Sequence, residues 1–108
     1  MKRLAVLFLS AAIALVAVPA LRADAAPDGA ALFKQKCAMC HGPDGKGQNA
    51  MGKSMHLKDL ASDEVQALSN ADLNKIIRDG KNKMPAYKTK LDQAQIDAVI
   101  EFIRTLKK

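Results

Sequence analysis

The sequence has little aromatic character, with no tryptophan, one tyrosine and three phenylalanines among its 108 residues. Its basic residues therefore come without the interleaved aromatic side chains on which nucleotides stack, and we predict that the protein does not bind nucleic acid. Period-two alternation, internal repeats and low-complexity tracts are also missing from the sequence. Helical periodicity is the pattern that remains, and it predicts an all-α domain.

Long apolar runs are missing except near the N-terminus, where two basic residues precede a run of apolar and small residues from Leu4 to Val18. Ala23-Asp24-Ala25 then provides a small-x-small cleavage site. The run is short for a membrane span. We predict that residues 1–25 are a cleaved secretory signal peptide and that residues 26–108 form one soluble periplasmic domain without stable membrane insertion. An uncleaved anchor is the alternative.

Cysteine is scarce as well, and both cysteines lie within the segment Cys37-Ala38-Met39-Cys40-His41. On a helix the side chains at i and i+3 share one face, so both sulfurs can reach the two vinyl groups of one porphyrin. The histidine that follows can place a neutral ring nitrogen on the iron. This spacing is the attachment signature of a c-type haem. We predict one covalent haem c, bound through Cys37 and Cys40, with His41 as an axial ligand.

Three other sites could use the same residues: a dithiol redox pair, a structural disulfide and a zinc site. A thioredoxin-like pair usually occurs within a βαβ pattern, and the sequence predicts no such strands. Zinc would need all four available ligands, including the adjacent Cys40 and His41, with His56 as the fourth. A thiol–disulfide oxidoreductase that uses Cys37 and Cys40 remains an alternative function.

Residues 26–108 number 83, a length at which a hydrophobic core alone gives marginal stability. A buried porphyrin would supply much of the missing apolar contact area. We therefore expect the haem-free protein to be largely unfolded.

Helix start signals occur at several places in this domain. Asp28 can cap a first helix that continues through the cysteine motif. The glycines and proline that follow predict a loop from Gly42 to about Leu57. The other signals are Ser62 and Asn70 as N-caps, Gly80 as a helix end, and a capping box formed by Asp92 and Gln95. Together they predict three to four short helices around one haem.

The second axial position decides between electron transfer and chemistry at the metal, and Met84 is the predicted ligand. It follows the helix end at Gly80, and Pro85 shifts its backbone toward extended geometry. Its rivals are Met39, Met51, Met55 and His56. A His/Met pair fills both axial positions and favours reduced iron, which indicates an electron carrier and not an enzyme. The alternative is a gas-binding or peroxidatic haem protein whose methionine is displaceable.

These motifs together resemble the small class I cytochromes c of the soluble bacterial type. The similarity rests on Gly29 and Phe33 before the cysteine motif, on Asp79-Gly80 leading to Met84-Pro85-Ala86-Tyr87, and on Leu91-Asp92-x-x-Gln95-Ile96. It implies the cytochrome c fold and an electron-carrier role. It also implies that the first and last helices cross near the haem, with Phe102 meeting Gly29 and Phe33. Candidate residues for the haem wall are Leu73, Ile76, Ile77, Tyr87 and Ile96.

One family feature is missing. Many relatives have a proline about a dozen residues after the haem histidine, and its carbonyl orients that imidazole, whereas Pro43 is too close to His41 for this role. We expect another carbonyl, in the stretch 48–51, to accept the second ring N–H of His41. Asn82 is a candidate hydrogen-bond donor near the axial sulfur or a propionate, although a solvent-facing turn residue is the simpler interpretation.

The positive charge of the sequence is concentrated near Met84. Residues 26–108 contain fourteen basic and ten acidic side chains, a formal charge of +4. The whole surplus lies in residues 81–90, which contain no acid. Its members are Lys81, Lys83, Lys88 and Lys90. We predict a monomer that docks transiently with redox protein partners through an acidic surface on the partner. Simple solvation of the lysines is the alternative.

Overall fold

The computed structural model describes residues 5–6, 8–17 and 26–108. Residues 5–6 and 8–17 have no regular secondary structure and are exposed. The predicted cleavage site at residues 23–25 lies outside the described residues, as do residues 1–4, 7 and 18–22 of the predicted signal peptide. Within the described part of the chain, no helix is both long enough and apolar enough to cross a membrane.

The domain after residue 25 is helical. Its helices are α1 (Gly29–Lys36), α2 (Ala38–His41), α3 (Ala50–Ser54), α4 (Asp63–Gln66), α5 (Asn70–Asp79) and α6 (Gln93–Thr105). The described residues contain no β-strand, and the only ladder contact among them is an isolated bridge between Lys81 and Met84. The all-α prediction is therefore confirmed, although the helices are more numerous than expected.

Two local differences explain the larger number of helices. The predicted first helix is interrupted at Cys37, where φ is −116°, so that α1 and α2 are separate. Backbone bonds still run through the interruption, from Cys37 N to Phe33 O at 2.8 Å and from His41 N to Cys37 O at 2.9 Å. The predicted loop 42–57 contains α3, which begins because the Asn49 side chain accepts a hydrogen bond from Gly52 N.

The N-cap of α5 was predicted one residue too late. Ser69 caps this helix through its side chain, which accepts from Asp72 N at 3.0 Å, and Asn70 is the first helical residue. Serine and asparagine are similarly good N-caps, so tertiary contacts decide between them. The Asn70 side chain instead accepts two hydrogen bonds from the Arg104 guanidinium, at 2.9 and 3.0 Å.

The remaining helix signals are confirmed. Asp28 and Ser62 cap α1 and α4 through their side chains. Asp92 and Gln95 form both bonds of the capping box at the start of α6. Gly80 ends α5 with φ at +81°, in the left-handed region that glycine adopts without steric cost.

The core lies where α1, α5 and α6 meet. Its most completely buried side chains are Phe33, Ile96 and Val99, each 1–2% exposed. Phe33 also packs against Phe102, with ring centroids 5.0 Å apart. Gly29 lies directly against α6, since a Cβ there would overlap the carbonyl group of Ala98. The expected crossing of the first and last helices is therefore confirmed.

Replacing Gly29 with alanine is expected to destabilise the holoprotein by about 2–3 kcal/mol, because the new methyl group forces the α1/α6 contact apart. Helix propensity alone predicts the opposite sign, a gain of up to about 1 kcal/mol. Chemical denaturation measures the difference. The matched control is Ala30→Gly, at the exposed neighbouring position, where only the propensity loss is expected. A Gly29→Ala protein as stable as wild type would contradict the close crossing.

Candidate haem site

The two cysteines are free thiols at the end of α1 and within α2, and both are half-buried. Burial raises the pKa of Cys37 to about 11, and a charge on the nearby Cys40 contributes in the same direction. Thiol–disulfide chemistry requires a thiolate at neutral pH. The environment of Cys37 therefore disfavours the redox-thiol alternative, whereas covalent attachment to a porphyrin vinyl group uses a reduced thiol, the form that both cysteines have here.

The zinc alternative has no structural support in the part of the chain that is described. No group of three or more histidine, cysteine, aspartate or glutamate side chains there is suited to a metal ion. His56, the required fourth ligand, is exposed and has φ at +54°.

His41 is half-buried at the end of α2, with its ring centroid 6.5 Å from that of Phe33. Burial lowers the pKa of the imidazole, which favours the neutral form that binds iron. Two free sulfurs and one neutral imidazole within five residues are the donor set that a c-type haem requires. The described residues therefore fit this cofactor.

The expected acceptor for the second ring nitrogen of His41 is not present. Its Nδ1 is buried and has no hydrogen-bond partner among the described residues, which include the stretch 48–51, so the prediction of a carbonyl acceptor there was wrong. Asn49 instead connects this stretch to the backbone of the motif. Its side-chain amide donates to the carbonyl of Met39 at 2.7 Å, while its amide oxygen caps α3. The carbonyls of Asn49 and Met51 in this stretch accept instead from Lys53 N at 2.9 Å and from Met55 N at 3.0 Å.

Met84 lies at the end of a tight turn that begins directly after α5. Lys81 and Met84 exchange two backbone hydrogen bonds, of 3.1 and 2.9 Å. Asn82 lies within this turn with φ at +54° and is exposed, as the simpler interpretation predicted. Gly80 lies beneath the turn, since a Cβ there would come within 2.7 Å of the Met84 carbonyl oxygen. The turn fixes the backbone of Met84, and its half-buried side chain packs against the hydrophobic core.

The rival ligands have different environments. Met39 is 77% exposed and Met51 is 43% exposed. Met55 is half-buried, but it is not among the side chains that pack against the core cluster. Cys37 and Met84 both pack against that cluster. The attachment residue Cys37 and the predicted axial ligand Met84 therefore border the same apolar region.

The predicted haem-wall residues divide into two groups. Leu73, Ile77 and Ile96 are buried in the core, whereas Ile76 and Tyr87 are half-buried. Sequence reasoning missed the specific contact of Tyr87, whose hydroxyl donates to the carbonyl of Lys36 at 3.0 Å. It also missed the link from Asn49 to the motif. A turn-forming asparagine near a helix start was the available signal for the cap of α3, but nothing in the sequence specified either backbone acceptor.

Comparison with known proteins also supports a c-type haem protein. A family model described as cytochrome c oxidase, cbb3-type, subunit III matches residues 24–103. Cytochrome c6 of Synechococcus sp. is 34% identical over 88 residues, covering 82% of this chain and 75% of that protein. Cytochrome c6 of Nostoc sp. is 33% identical over 85 residues, covering 79% and 73%.

Two further relatives extend this comparison. The cbb3-type cytochrome c oxidase subunit CcoP of Rubrivivax gelatinosus is 38% identical over 71 residues, which are 65% of this chain and 22% of that subunit. The solved structure of the KustC0563 c-type cytochrome superposes with a TM-score of 0.69 at 31% identity, covering 75% of this chain and 99% of that chain.

These similarities confirm the predicted cytochrome c fold, the covalent haem c and the assignment as an electron carrier and not an enzyme. They span most of the chain after the apolar N-terminal run, including both cysteines and His41. The chain therefore belongs to the c-type cytochromes, as a small class I member with covalently attached haem c.

Proposed function

We propose that this cytochrome is a periplasmic one-electron carrier in which His41 and Met84 are the axial ligands of the haem iron. The observation that carries the proposal is the shared environment of Cys37 and Met84, which pack against one core cluster. The bound haem supplies an iron that alternates between the ferric and ferrous states. The environments of Met39, Met51 and His56, all exposed, support Met84 over these rivals.

The side chains determine what this iron can do. A neutral imidazole from His41 and a thioether from Met84 would together hold the haem iron, and the thioether would favour its ferrous state. Electron transfer then needs no ligand exchange. The apolar residues of α5 and α6 are buried, and where they line the haem they would exclude water from it. These features support a carrier over the gas-binding or peroxidatic alternative.

We also propose that residues 1–25 direct export and are removed. The described part of this stretch supports a role outside the folded domain, because its large apolar side chains, such as Phe8 and Leu9, are 89% and 93% exposed. The folded domain begins with the Asp28 cap of α1. Export also suits the cysteines, since thiols that leave the reducing cytoplasm form disulfides or are captured by a cofactor.

The docking surface in this proposal is the lysine segment, residues 81–90. All four of its lysines are exposed. Among the described residues, none of them forms an ion pair, since the pairs found there are Lys58–Glu64 and Arg78–Asp79. The segment surrounds Met84, so an acidic partner attracted to it approaches the part of the protein that holds the iron ligand.

Reversing the charge at Lys81 and Lys83 together is expected to slow oxidation of the ferrous protein by the hexacyanoferrate(III) trianion about tenfold at low salt. The physical reason is the loss of local attraction between the lysine segment and an anion. Stopped-flow kinetics over a range of ionic strength measures this, and the wild-type rate should fall as salt rises.

The control for total charge is Lys107→Glu with Lys108→Glu, an equal change at the exposed end of the chain after α6. It should slow the reaction much less than the Lys81/Lys83 pair. Equal slowing by both pairs, or a wild-type rate that does not vary with salt, would contradict docking at residues 81–90.

A further inference from the structure

The hydroxyl of Tyr87 connects the two segments that supply the proposed iron ligands. It donates a hydrogen bond to the carbonyl oxygen of Lys36 at 3.0 Å. Lys36 is the last residue of α1, directly before Cys37, and Tyr87 follows Met84 by three residues. The two bonded residues are 51 positions apart in sequence. This bond therefore links the Met84 segment to the haem-attachment segment.

The other hydrogen bonds of the Met84 segment, residues 80–91, go to different places. Tyr87 N donates to Ile77 O at 3.0 Å, and Lys88 N donates to Arg78 O at 3.1 Å. These bonds fix the segment to α5 and not to α1 or α2. Within the described residues, the Tyr87 hydroxyl makes the only hydrogen bond between residues 80–91 and the stretch 29–41.

The environment of Tyr87 keeps its hydroxyl group in place as a hydrogen-bond donor. Its ring is half-buried against the core cluster, and the Lys90 ammonium lies 5.3 Å from the ring centroid. Burial raises the pKa of the phenol, so the hydroxyl remains protonated at neutral pH. The packing of the ring and the hydrogen bond of the hydroxyl can be separated, because substitution by phenylalanine keeps the ring packing and removes only the hydrogen bond.

We propose that Tyr87 is a positioning residue that holds the Met84 segment closed and thereby controls how easily an external ligand displaces Met84 from the iron. This inference rests on the proposed His41/Met84 ligation. Displacement of Met84 requires its segment to move away from the attachment segment, and the Tyr87–Lys36 bond opposes that movement. Removing the bond therefore increases the population of the open state.

The test is a titration of ferric holoprotein with imidazole, followed through the weak sulfur-to-iron absorption band in the red. Tyr87→Phe is expected to lower the apparent Kd for imidazole about fivefold, which corresponds to roughly 1 kcal/mol. The control is Thr105→Val, which removes another hydroxyl-to-carbonyl bond, from Thr105 Oγ1 to Phe102 O at 2.6 Å, at the end of α6. This control should leave the Kd unchanged.

The results of this titration distinguish the positioning role of Tyr87 from iron ligation by Met84. A lower Kd in Tyr87→Phe alone supports the positioning role. An unchanged Kd in Tyr87→Phe, or the same decrease in both variants, overturns it and leaves Met84 ligation intact. Absence of the sulfur-to-iron band in the wild-type ferric protein overturns Met84 ligation and the role of Tyr87 together.

Discussion

Replacing Met84 with histidine will lower the reduction potential of the haem by about 0.2 V, a quarter of the roughly 0.8 V range that axial ligands set. A thioether favours ferrous iron, whereas a second imidazole favours the ferric state, so exchanging one for the other stabilises the oxidised protein. The sulfur-to-iron band will disappear in the same variant. Redox titration of the matured protein, followed in the visible region, measures both effects.

The matched control for this variant is Met55→His. Met55 is the other half-buried methionine of the domain, so the substitution introduces the same side chain at comparable exposure. Its potential should remain within a few hundredths of a volt of wild type, as expected for a residue that does not bind the iron. Loss of the band in Met55→His, with the band retained in Met84→His, would assign the axial position to Met55.

Removing the haem will abolish cooperative folding of the domain. The double variant Cys37→Ser/Cys40→Ser, purified without haem, is expected to show about a third or less of the helical circular-dichroism signal of the holoprotein. Helices α2, α3 and α4 have only four or five residues each, which is too short for independent stability. Their persistence therefore depends on tertiary contacts, and residues around the motif lose a large apolar partner when the haem is missing.

Addition of free haem to the same double variant is the control that separates haem loss from damage by the serines. Binding through His41 without thioether bonds should restore part of the helical signal, because the apolar contact returns even though the covalent link does not. A haem-free protein that unfolds cooperatively at the midpoint of the holoprotein would show that the protein core alone is sufficient.

Most helix boundaries of this fold follow from local sequence rules. The caps at Asp28 and Ser62, the capping box at Asp92 and the stop at Gly80 were all predictable, because each depends on side chains within three residues of a helix end. The apolar stripe of α6 is likewise a local pattern with a regular period. Gly29 was assigned to the helix crossing through family resemblance, and the contact with Ala98 gives that assignment its physical reason.

The features that sequence reasoning missed depend on distant or backbone partners. Ser69 and Asn70 are adjacent and equally suited to a cap, and Arg104 decides between them by binding the Asn70 side chain. Helix α3 is only five residues long, so it has no clear periodicity. The Tyr87 hydroxyl bonds to a main-chain carbonyl, which every residue type possesses. No residue pattern can identify such an acceptor before the fold is known.

The cysteine motif is the case in which sequence is most informative, since covalent chemistry and spacing together specify the cofactor. The axial methionine is less strongly specified, because five methionines occur in the chain and ligation depends on where each segment lies. The packing of the side chains in the structure favours Met84 among these methionines, because Met84 packs against the core that Cys37 also borders. The environment of His41 was not predictable in this way, because Nδ1 has no hydrogen-bond partner among the described residues, although the sequence analysis expected a carbonyl acceptor.

The measurement that tests the central claim most directly is the visible spectrum of protein exported by cells competent for cytochrome c maturation, first oxidised and then reduced. We predict a sharp α-band in the reduced protein that survives acid–acetone extraction, which requires thioether bonds to Cys37 and Cys40. We also predict a weak sulfur-to-iron band in the oxidised protein, which requires a methionine ligand. Extractable haem, or covalent haem without the sulfur band, would contradict a His/Met-ligated c-type electron carrier.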